Sequence, residues 1–152
     1  MPQPSAQPRA RNSPFDSWFD SWAIVFGLFA LGNLVNGAWM LANPAHWYIH
    51  LPANVPGSGP LNEHFVRDIG CIFLLMGLAL AIAVFRRRWR LPAMLLTTTF
   101  YGEHALVHLY DSARHLFPAG QWKYDLLPVY ATTALLAAVT FALFRANRGE
   151  TR

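Results

Sequence analysis

The chain has 152 residues, of which 54% are hydrophobic and only 13% are charged, whereas an ordinary soluble domain carries about 25% charged residues. This composition excludes an ordinary soluble domain and is typical of an integral membrane protein. The formal net charge of +4 reflects membrane topology and attraction to lipid headgroups, so it does not indicate nucleic acid binding. The single cysteine, Cys71, excludes an internal disulfide and a metal site built from several cysteines.

Residues 1–21 are predicted to be a polar tail that ends in a short interfacial helix. Ser13 can cap this helix, and Pro14 suits its first position. At helical spacing the aromatic side chains of Phe15, Trp18 and Phe19 fall on one face, as in helices that lie in the membrane surface. A disordered tail is the alternative, because short isolated helices are marginal in water.

Four membrane-spanning helices are predicted at about residues 22–42, 63–85, 91–116 and 127–145. A bilayer core requires about 20 consecutive apolar residues per helix, and uncharged stretches of about this length run over residues 22–42, 69–85 and 126–144. The third predicted helix is apolar in its first half and polar in its second. The predicted fold class is therefore an all-α four-helix bundle integral to the membrane.

The distribution of basic residues predicts the orientation of this bundle. Nine of the twelve lysines and arginines lie before the first predicted helix, in the turn between the second and third, or after the fourth. They are Arg9, Arg11, Arg86, Arg87, Arg88, Arg90, Arg145, Arg148 and Arg152. By the positive-inside rule, both termini and the 86–90 turn are cytoplasmic, and residues 146–152 form a short cytoplasmic tail.

The loop between the first two predicted helices, residues 43–62, contains four prolines and two glycines. This content argues against a regular helix or a central strand, so we expect either a structured cover or a flexible lid. At the end of the loop, Asn62 suits the N-cap of the second helix. Leu61 and Val66 have the spacing of a hydrophobic staple across that cap.

Polar side chains in the third predicted helix form one stripe. Successive members are separated by 4, 3, 4, 3 and 4 positions, which places them on a single helical face. They are Thr97, Tyr101, His104, His108, Asp111 and His115. The second predicted helix has a similar stripe in His64, Asp68 and Cys71. In lipid, such stripes are expected to face the interior of the bundle.

Counting from the turn between these two antiparallel helices predicts which polar residues share a depth. Asp68 lies 20 positions before Arg88 and His108 lies 20 positions after it, so the two are expected at the same height. His104 is one turn deeper, about 6 Å at 1.5 Å per residue. The sequence therefore predicts a site formed by His64, Asp68, His104, His108 and Asp111, which opens to the periplasmic side.

These residue types favour a transition metal. Two imidazoles at positions i and i+4 can bind one ion, and a carboxylate from a facing helix can complete the ligand set. Without a cluster of cysteine or methionine, the donors suit zinc, iron, manganese or oxidised copper. Haem fits less well, because His104 and His108 on one helix cannot take opposite axial positions, although His64 could face one of them.

Other functions are compatible with the same residues. The protein could be a metal-free acid–base enzyme acting on a lipid or quinone, in which His104 or His108 moves a proton and Asp68 orients the imidazole. It could also be a non-catalytic accessory subunit of a larger membrane complex, or a homo-oligomer, whose polar stripes only fix helix packing through hydrogen bonds. The lipid bilayer is a partner in every case. Transport is disfavoured, because the cytoplasmic half of the bundle offers threonines but no ionisable group for a relay.

Neighbouring polar residues are expected to have structural roles. Arg67 can pair with Glu103 across helices, or with Glu63 four residues earlier on its own helix. Asn33 and Asn36 are expected to form hydrogen bonds between helices, and contact with a ligand is the alternative.

Two segments carry a resemblance to a known family. The segment NEHFVRDIG, together with the loop before it and EHALVHLYD after it, resembles a group of small, uncharacterised four-span bacterial membrane proteins. The resemblance covers residues 43–111. It implies a multi-pass protein of the bacterial inner membrane, and it implies no activity.

Overall fold

The computed structural model describes residues 20–150, with side chains to residue 148. Within this range the chain is helical and has no strand, which confirms the all-α prediction. The helices are α1 (Ser21–Ala42), α2 (Pro44–His50), α3 (Glu63–Phe85), α4 (Arg90–Ala113), α5 (Trp122–Asp125) and α6 (Thr132–Glu150). The predicted interfacial helix that begins at Ser13 lies outside the described residues.

Three helical stretches in residues 20–150 are long and apolar enough to cross a membrane. They are Ser21–Ala42, Glu63–Phe85 and Trp122–Arg148. Large apolar side chains such as Leu31, Leu75 and Phe141 are exposed on the outside of these helices, as expected for a surface that contacts lipid. α4 has 24 residues and is more polar, because its second half carries the histidines and carboxylates of the predicted stripe.

The N-termini of α1 and α3 are fixed by side-chain caps. Asp20 accepts a hydrogen bond from the backbone N–H of Ala23 at 2.9 Å, and Asn62 accepts one from Phe65 at 3.1 Å. Each cap satisfies a donor that the first turn of a helix leaves without a partner. α3 therefore begins at the residue that the sequence predicted, and Leu61 packs against the apolar cluster that contains Val66.

The C-terminus of α4 is earlier than residue 116, where the sequence placed it. His115 adopts a left-handed conformation with φ 57°. The backbone N–H of Leu116 then reaches the carbonyl of Asp111 at 3.0 Å, and that of His115 reaches Ser112 at 3.1 Å. This pair of bonds is a Schellman motif, which ends a helix. His115 consequently leaves the polar stripe of α4.

The first part of the 43–62 segment is a helix, contrary to the expectation from its proline content. Asn43 caps α2 by accepting the backbone N–H of His46 at 3.1 Å, and Pro44 occupies the first turn. Proline is tolerated there because its missing N–H would have no helical partner. We call residues 43–62 the cover segment, and the end of the molecule where it lies the cover end.

α5 and α6 are joined by a π-helical turn at Leu126–Ala131, so the last helical stretch begins at Trp122 rather than near residue 127. Pro128 lies inside this turn and has no N–H to donate. A wider turn accommodates the proline ring without breaking the helix. The carbonyl of Leu127 accepts the backbone N–H of Thr132 and also its hydroxyl, at 2.9 Å.

Glycines allow α1 and α3 to approach closely. A Cβ atom on Gly37 would lie 2.7 Å from the carbonyl oxygen of Gly70, and one on Gly77 would lie 2.9 Å from the backbone nitrogen of Leu34. Both distances are too short for a side chain, so the two backbones are in direct contact. Such contacts are a common way for helices to associate in lipid.

A shared core and a buried ion pair connect the helices at the opposite end, which we call the basic end. α1, α3, α4 and α6 contribute Phe26, Leu80, Met94 and Leu136 to one buried cluster. Beside it, the buried guanidinium of Arg90 donates to both carboxylate oxygens of Asp20, at 2.7 and 2.9 Å. Arg90 therefore stabilises the fold through this ion pair, in addition to contributing to the positive charge of the 86–90 turn.

Candidate functional site

The structure does not bring the five predicted site residues together. The side chains of His64 and Asp68 are 89% and 59% exposed, and their closest polar contact is with each other, at 3.5 Å from Nε2 to Oδ2. The reason is the rotation of α3. Gly70 must face α1, and Asp68, two residues earlier, then points about 200° around the helix from it. Equal depth, which the counting predicted, does not imply a shared face.

The geometric basis for a metal site is therefore missing. In the part of the chain that the structure describes, no group of three or more histidine, cysteine, aspartate or glutamate side chains could hold a metal ion. The zinc, iron or copper site predicted from the sequence has no support from side-chain positions. His64, which the haem alternative placed opposite His104 or His108, is exposed and contacts Asp68.

The other three predicted residues line one cavity. His104, His108 and Asp111 open into a space of about 940 Å³ at the cover end. The rings of His104 and His108 are 4.6 Å apart between centroids and nearly perpendicular. The stripe on α4 thus has the role that its spacing predicted, as the polar wall of an internal space, although its partners come from other elements.

Most of the cavity wall is apolar. α1 and α3 form one side, α4 and the π-helical turn form the other, and the cover segment lies over the end. Aromatic rings from several of these elements contribute, including Phe29, Trp47, Phe73 and Phe117. A space of this size, with an apolar wall and a few convergent polar groups, is typical of sites that bind small organic molecules.

A buried carboxylate is the hydrogen-bond partner of His108. Nδ1 of His108 lies 3.0 Å from Oδ2 of Asp125, which is fully buried at the end of α5. An ionised carboxylate can only accept, so an ionised Asp125 requires the proton of the imidazole to be on Nδ1. Nε2 of a neutral His108 then has a free lone pair. It can serve as a base or an acceptor toward the cavity.

Gln121 connects this pair to the cover segment. Its side-chain nitrogen donates to Oδ1 of Asp125 at 3.0 Å and to the carbonyl oxygen of Ala53 at 3.0 Å. Its side-chain oxygen accepts from Asn54 at 2.8 Å. Both carboxylate oxygens of Asp125 are therefore satisfied, and the cover is bonded to the residue that orients His108.

A second polar group lies deeper in the cavity. The hydroxyl of Tyr101 is 3.5 Å from the side-chain oxygen of Asn33, whose amide nitrogen donates to the carbonyl of Phe29 at 2.8 Å. Nearer the cover, Trp47 donates to the side-chain oxygen of Asn36 at 2.9 Å. Asn36 thus holds α2 against α1, and both asparagines also line the cavity.

The structure also shows the partners of two arginines near the site. Arg67 bonds Glu63 at 2.9 Å, on its own helix, so the alternative pair with Glu103 is not formed. Arg114 donates to the hydroxyl of Tyr110 at 2.8 Å. Glu103 and Asp111 both line the cavity.

Asp125 and Gln121 were not identified from the sequence, although a signal for them exists. His108 and Asp125 lie 17 positions apart on either side of the turn formed by residues 114–121. The depth count that compared α3 with α4, applied to this second turn with its centre between residues 117 and 118, pairs His108 with residue 127, which is two positions from Asp125. A carboxylate placed directly before the last apolar run was the further signal.

Comparison with known proteins adds no assignment: no protein-family model, no curated protein and no solved structure matches the chain.

Proposed function

We propose that the protein is a multi-pass membrane protein of the bacterial inner membrane, a four-helix bundle whose termini and arginine-rich turn are cytoplasmic. Three apolar helical stretches support insertion. The cluster of arginines at residues 86–90, one of them buried against Asp20, supports the orientation. In this orientation the cavity opens on the periplasmic side.

The proposed activity is the binding of an amphiphilic small molecule, with proton exchange at His108. The observation that carries this proposal is the bond between His108 and the fully buried Asp125, at the wall of a large apolar cavity. A carboxylate in this position holds the imidazole in one orientation through its Nδ1. Of the functions that the sequence allowed, the geometry supports best a metal-free acid–base protein acting on a lipid or quinone.

Each polar group has a part in this proposal. Asp125 orients His108, and the imidazole accepts a proton from, or returns it to, the bound molecule at Nε2. His104 is close enough, at 4.6 Å between ring centroids, to take part in a hydrogen-bonded chain. The cover segment, held by Gln121 and Asn36, lies over the end of the cavity that contains the pair.

The proposal is tested by filling the cavity. Gly32 lines it, and a Cβ atom at Gly32 would meet nothing within 4 Å, so the side chain of Gly32→Leu begins in open space and adds bulk at the cavity wall. Gly27 on the same helix has equal space but does not line the cavity, which makes Gly27→Leu the matched control. We expect native mass spectrometry and organic extraction to find one bound amphiphile in the wild type and in Gly27→Leu, and none in Gly32→Leu.

Absence of any bound amphiphile from wild-type protein purified in a mild detergent, or its equal retention in Gly32→Leu, would contradict the proposal. Elemental analysis separates it from the metal hypothesis. We expect no stoichiometric zinc, iron or copper in the same samples. A metal that is present in the wild type and lost in His104→Ala and His108→Ala would restore the metal site and replace this proposal.

A further inference from the structure

The charges on the cavity wall limit the kind of molecule that it can hold. Glu103 and Asp111 line the cavity, and none of the described residues on its wall is lysine or arginine. A phosphate or carboxylate headgroup would therefore meet like charges, and the described wall offers it no lysine or arginine as a partner. The headgroups of common anionic lipids are disfavoured for this reason.

A cationic headgroup would find two carboxylates on the described wall. The buried carboxylate of Asp125 already bonds His108 and Gln121, which leaves exposed Glu103 and half-buried Asp111. The charges alone therefore disfavour an anionic headgroup, and the choice between a cationic and an uncharged headgroup depends on the rings and hydrogen-bonding groups of the wall.

Aromatic rings on the wall favour a flat headgroup. Phe73, Phe100 and Tyr101 meet edge to face, with centroids 5.6 to 6.1 Å apart. The ring of His104 is parallel to that of Phe100, with an angle of 1° between planes and 6.2 Å between centroids. Walls of this kind provide stacking and edge contacts for a planar ring.

Hydrogen-bonding groups occur at two levels beside these rings. Tyr101 and Asn33 lie at the deeper level, and His104 and His108 lie nearer the cover. Tyr101 and His104 are three residues apart on α4, which corresponds to a rise of about 4.5 Å. A planar ring with oxygen atoms on opposite edges could bond at both levels, while an apolar tail occupied the rest of the cavity.

We infer that the cavity binds a molecule of the quinol or quinone class, an uncharged ring with oxygen substituents and an apolar tail. This inference rests on the proposed function and names its ligand. When a quinol binds, its O–H bond breaks, an N–H bond forms at Nε2 of His108, and the electron pair of the O–H bond stays on oxygen. The step transfers only a proton and needs no electron acceptor.

The test is equilibrium binding to the purified full-length protein in a neutral detergent. The probes share a decyl tail and differ in headgroup: a benzoquinone, its reduced quinol, a phosphate and a trimethylammonium. Trp47 lines the cavity, so tryptophan fluorescence reports occupancy. We expect saturable binding of the quinone and quinol alone. We expect their affinity to fall by about tenfold or more in His108→Ala, as for loss of one hydrogen bond to a partly charged group.

Gly32→Leu and Gly27→Leu distinguish binding in the cavity from partition into detergent. Affinity should be lost in the first variant and retained in the second. Equal binding of the phosphate or ammonium probe, or quinone binding that Gly32→Leu leaves unchanged, would overturn the inference. If an extracted amphiphile depends on the cavity but the quinone probes do not bind, the ligand class is wrong and the proposed function stands. If no amphiphile is extracted and no quinone probe binds, both the proposed function and the ligand class are wrong.

Discussion

Asp125 and Asp68 show how two aspartates of the same chain differ once the helices are packed. Asp125 is fully buried and accepts hydrogen bonds from His108 and Gln121. Asp68 is largely exposed, and its contact with His64 spans 3.5 Å. A buried hydrogen-bonded carboxylate contributes to stability and orients its partner, whereas an exposed pair contributes little.

Replacement of Asp125 should therefore destabilise the protein, and replacement of Asp68 should not. We expect Asp125→Ala to lower the free energy of unfolding by about 1 to 3 kcal/mol, because His108 loses its buried partner. Asp68→Ala is the matched control and should change it by less than about 0.5 kcal/mol. Unfolding of both variants in detergent, followed by circular dichroism, measures the difference. Equal effects of the two substitutions would mean that the bond to His108 does not stabilise the fold.

The ion pair at the basic end predicts a dependence of stability on pH. The pKa of Asp20 is lowered from its usual 3.8, mainly by the hydrogen bonds from Arg90. Burial acts in the opposite direction and raises this pKa, whereas the hydrogen bond from the backbone N–H of Ala23 lowers it further. A carboxyl group with a lowered pKa stabilises the fold above its unfolded pKa. That stability is lost as pH falls through the folded value.

We expect Asp20→Asn to lower the free energy of unfolding by about 3 kcal/mol at neutral pH, because it leaves the buried Arg90 without a counter-charge. The difference in free energy of unfolding between the wild type and this variant should stay constant down to about pH 4 and become smaller below it. Unfolding at several pH values tests this, with Asp68→Asn as the control. A gap that persists unchanged at pH 2 would show that the charge of Asp20 is not the source of the effect.

At the scale of elements, the contact between α1 and α3 depends on the absence of side chains. We expect Gly37→Ala to destabilise the protein by about 1 to 3 kcal/mol, because its Cβ would press on the backbone of α3. Gly27→Ala, which has open space, should be neutral or stabilise by up to about 1 kcal/mol, since alanine favours a helix. Thermal unfolding in detergent compares the two. Similar effects at both positions would argue against a direct backbone contact.

The sequence predicted the elements well where a local cap defines them. The bounds of α3 follow from Asn62 and from the long apolar run after it. α2 was missed because proline was counted as a breaker without regard to its place in the first turn, where it is favoured. The end of α4 was placed too late, because a left-handed histidine is not a common stop signal.

At the scale of the whole molecule, topology is the prediction that most needs a direct test. In a Cys71→Ala background, Ser58→Cys in the cover segment and Asn147→Cys near the end of α6 provide two reporters. We expect a membrane-impermeant maleimide to label Ser58→Cys in intact bacterial cells and to label Asn147→Cys only after the cells are opened. The opposite pattern would place the cavity on the cytoplasmic side.

Part of the candidate site could be predicted from the sequence, and the rest required the packing of α3 and α5. The stripe on α4 gave His104, His108 and Asp111 correctly as residues of one internal wall. The choice of His64 and Asp68 as partners failed because the rotation of α3 is set by glycines, not by its polar residues. Helical periodicity fixes which residues share a face, but only packing decides what that face meets.

The π-helical turn has a consequence for how this chain could vary. The turn lies between α5, which ends at Asp125, and α6, which packs in the core through Leu136. It contains the one extra residue that distinguishes a π turn from an α turn. Deleting one residue from Leu126–Ala131 would rotate everything before it by about 100° relative to α6. Asp125 would then turn away from His108 while the apolar core kept its contacts. The extra residue sets the rotation of the segment before the turn relative to α6. The number of residues in this stretch, more than their identity, therefore determines whether His108 has Asp125 as its partner.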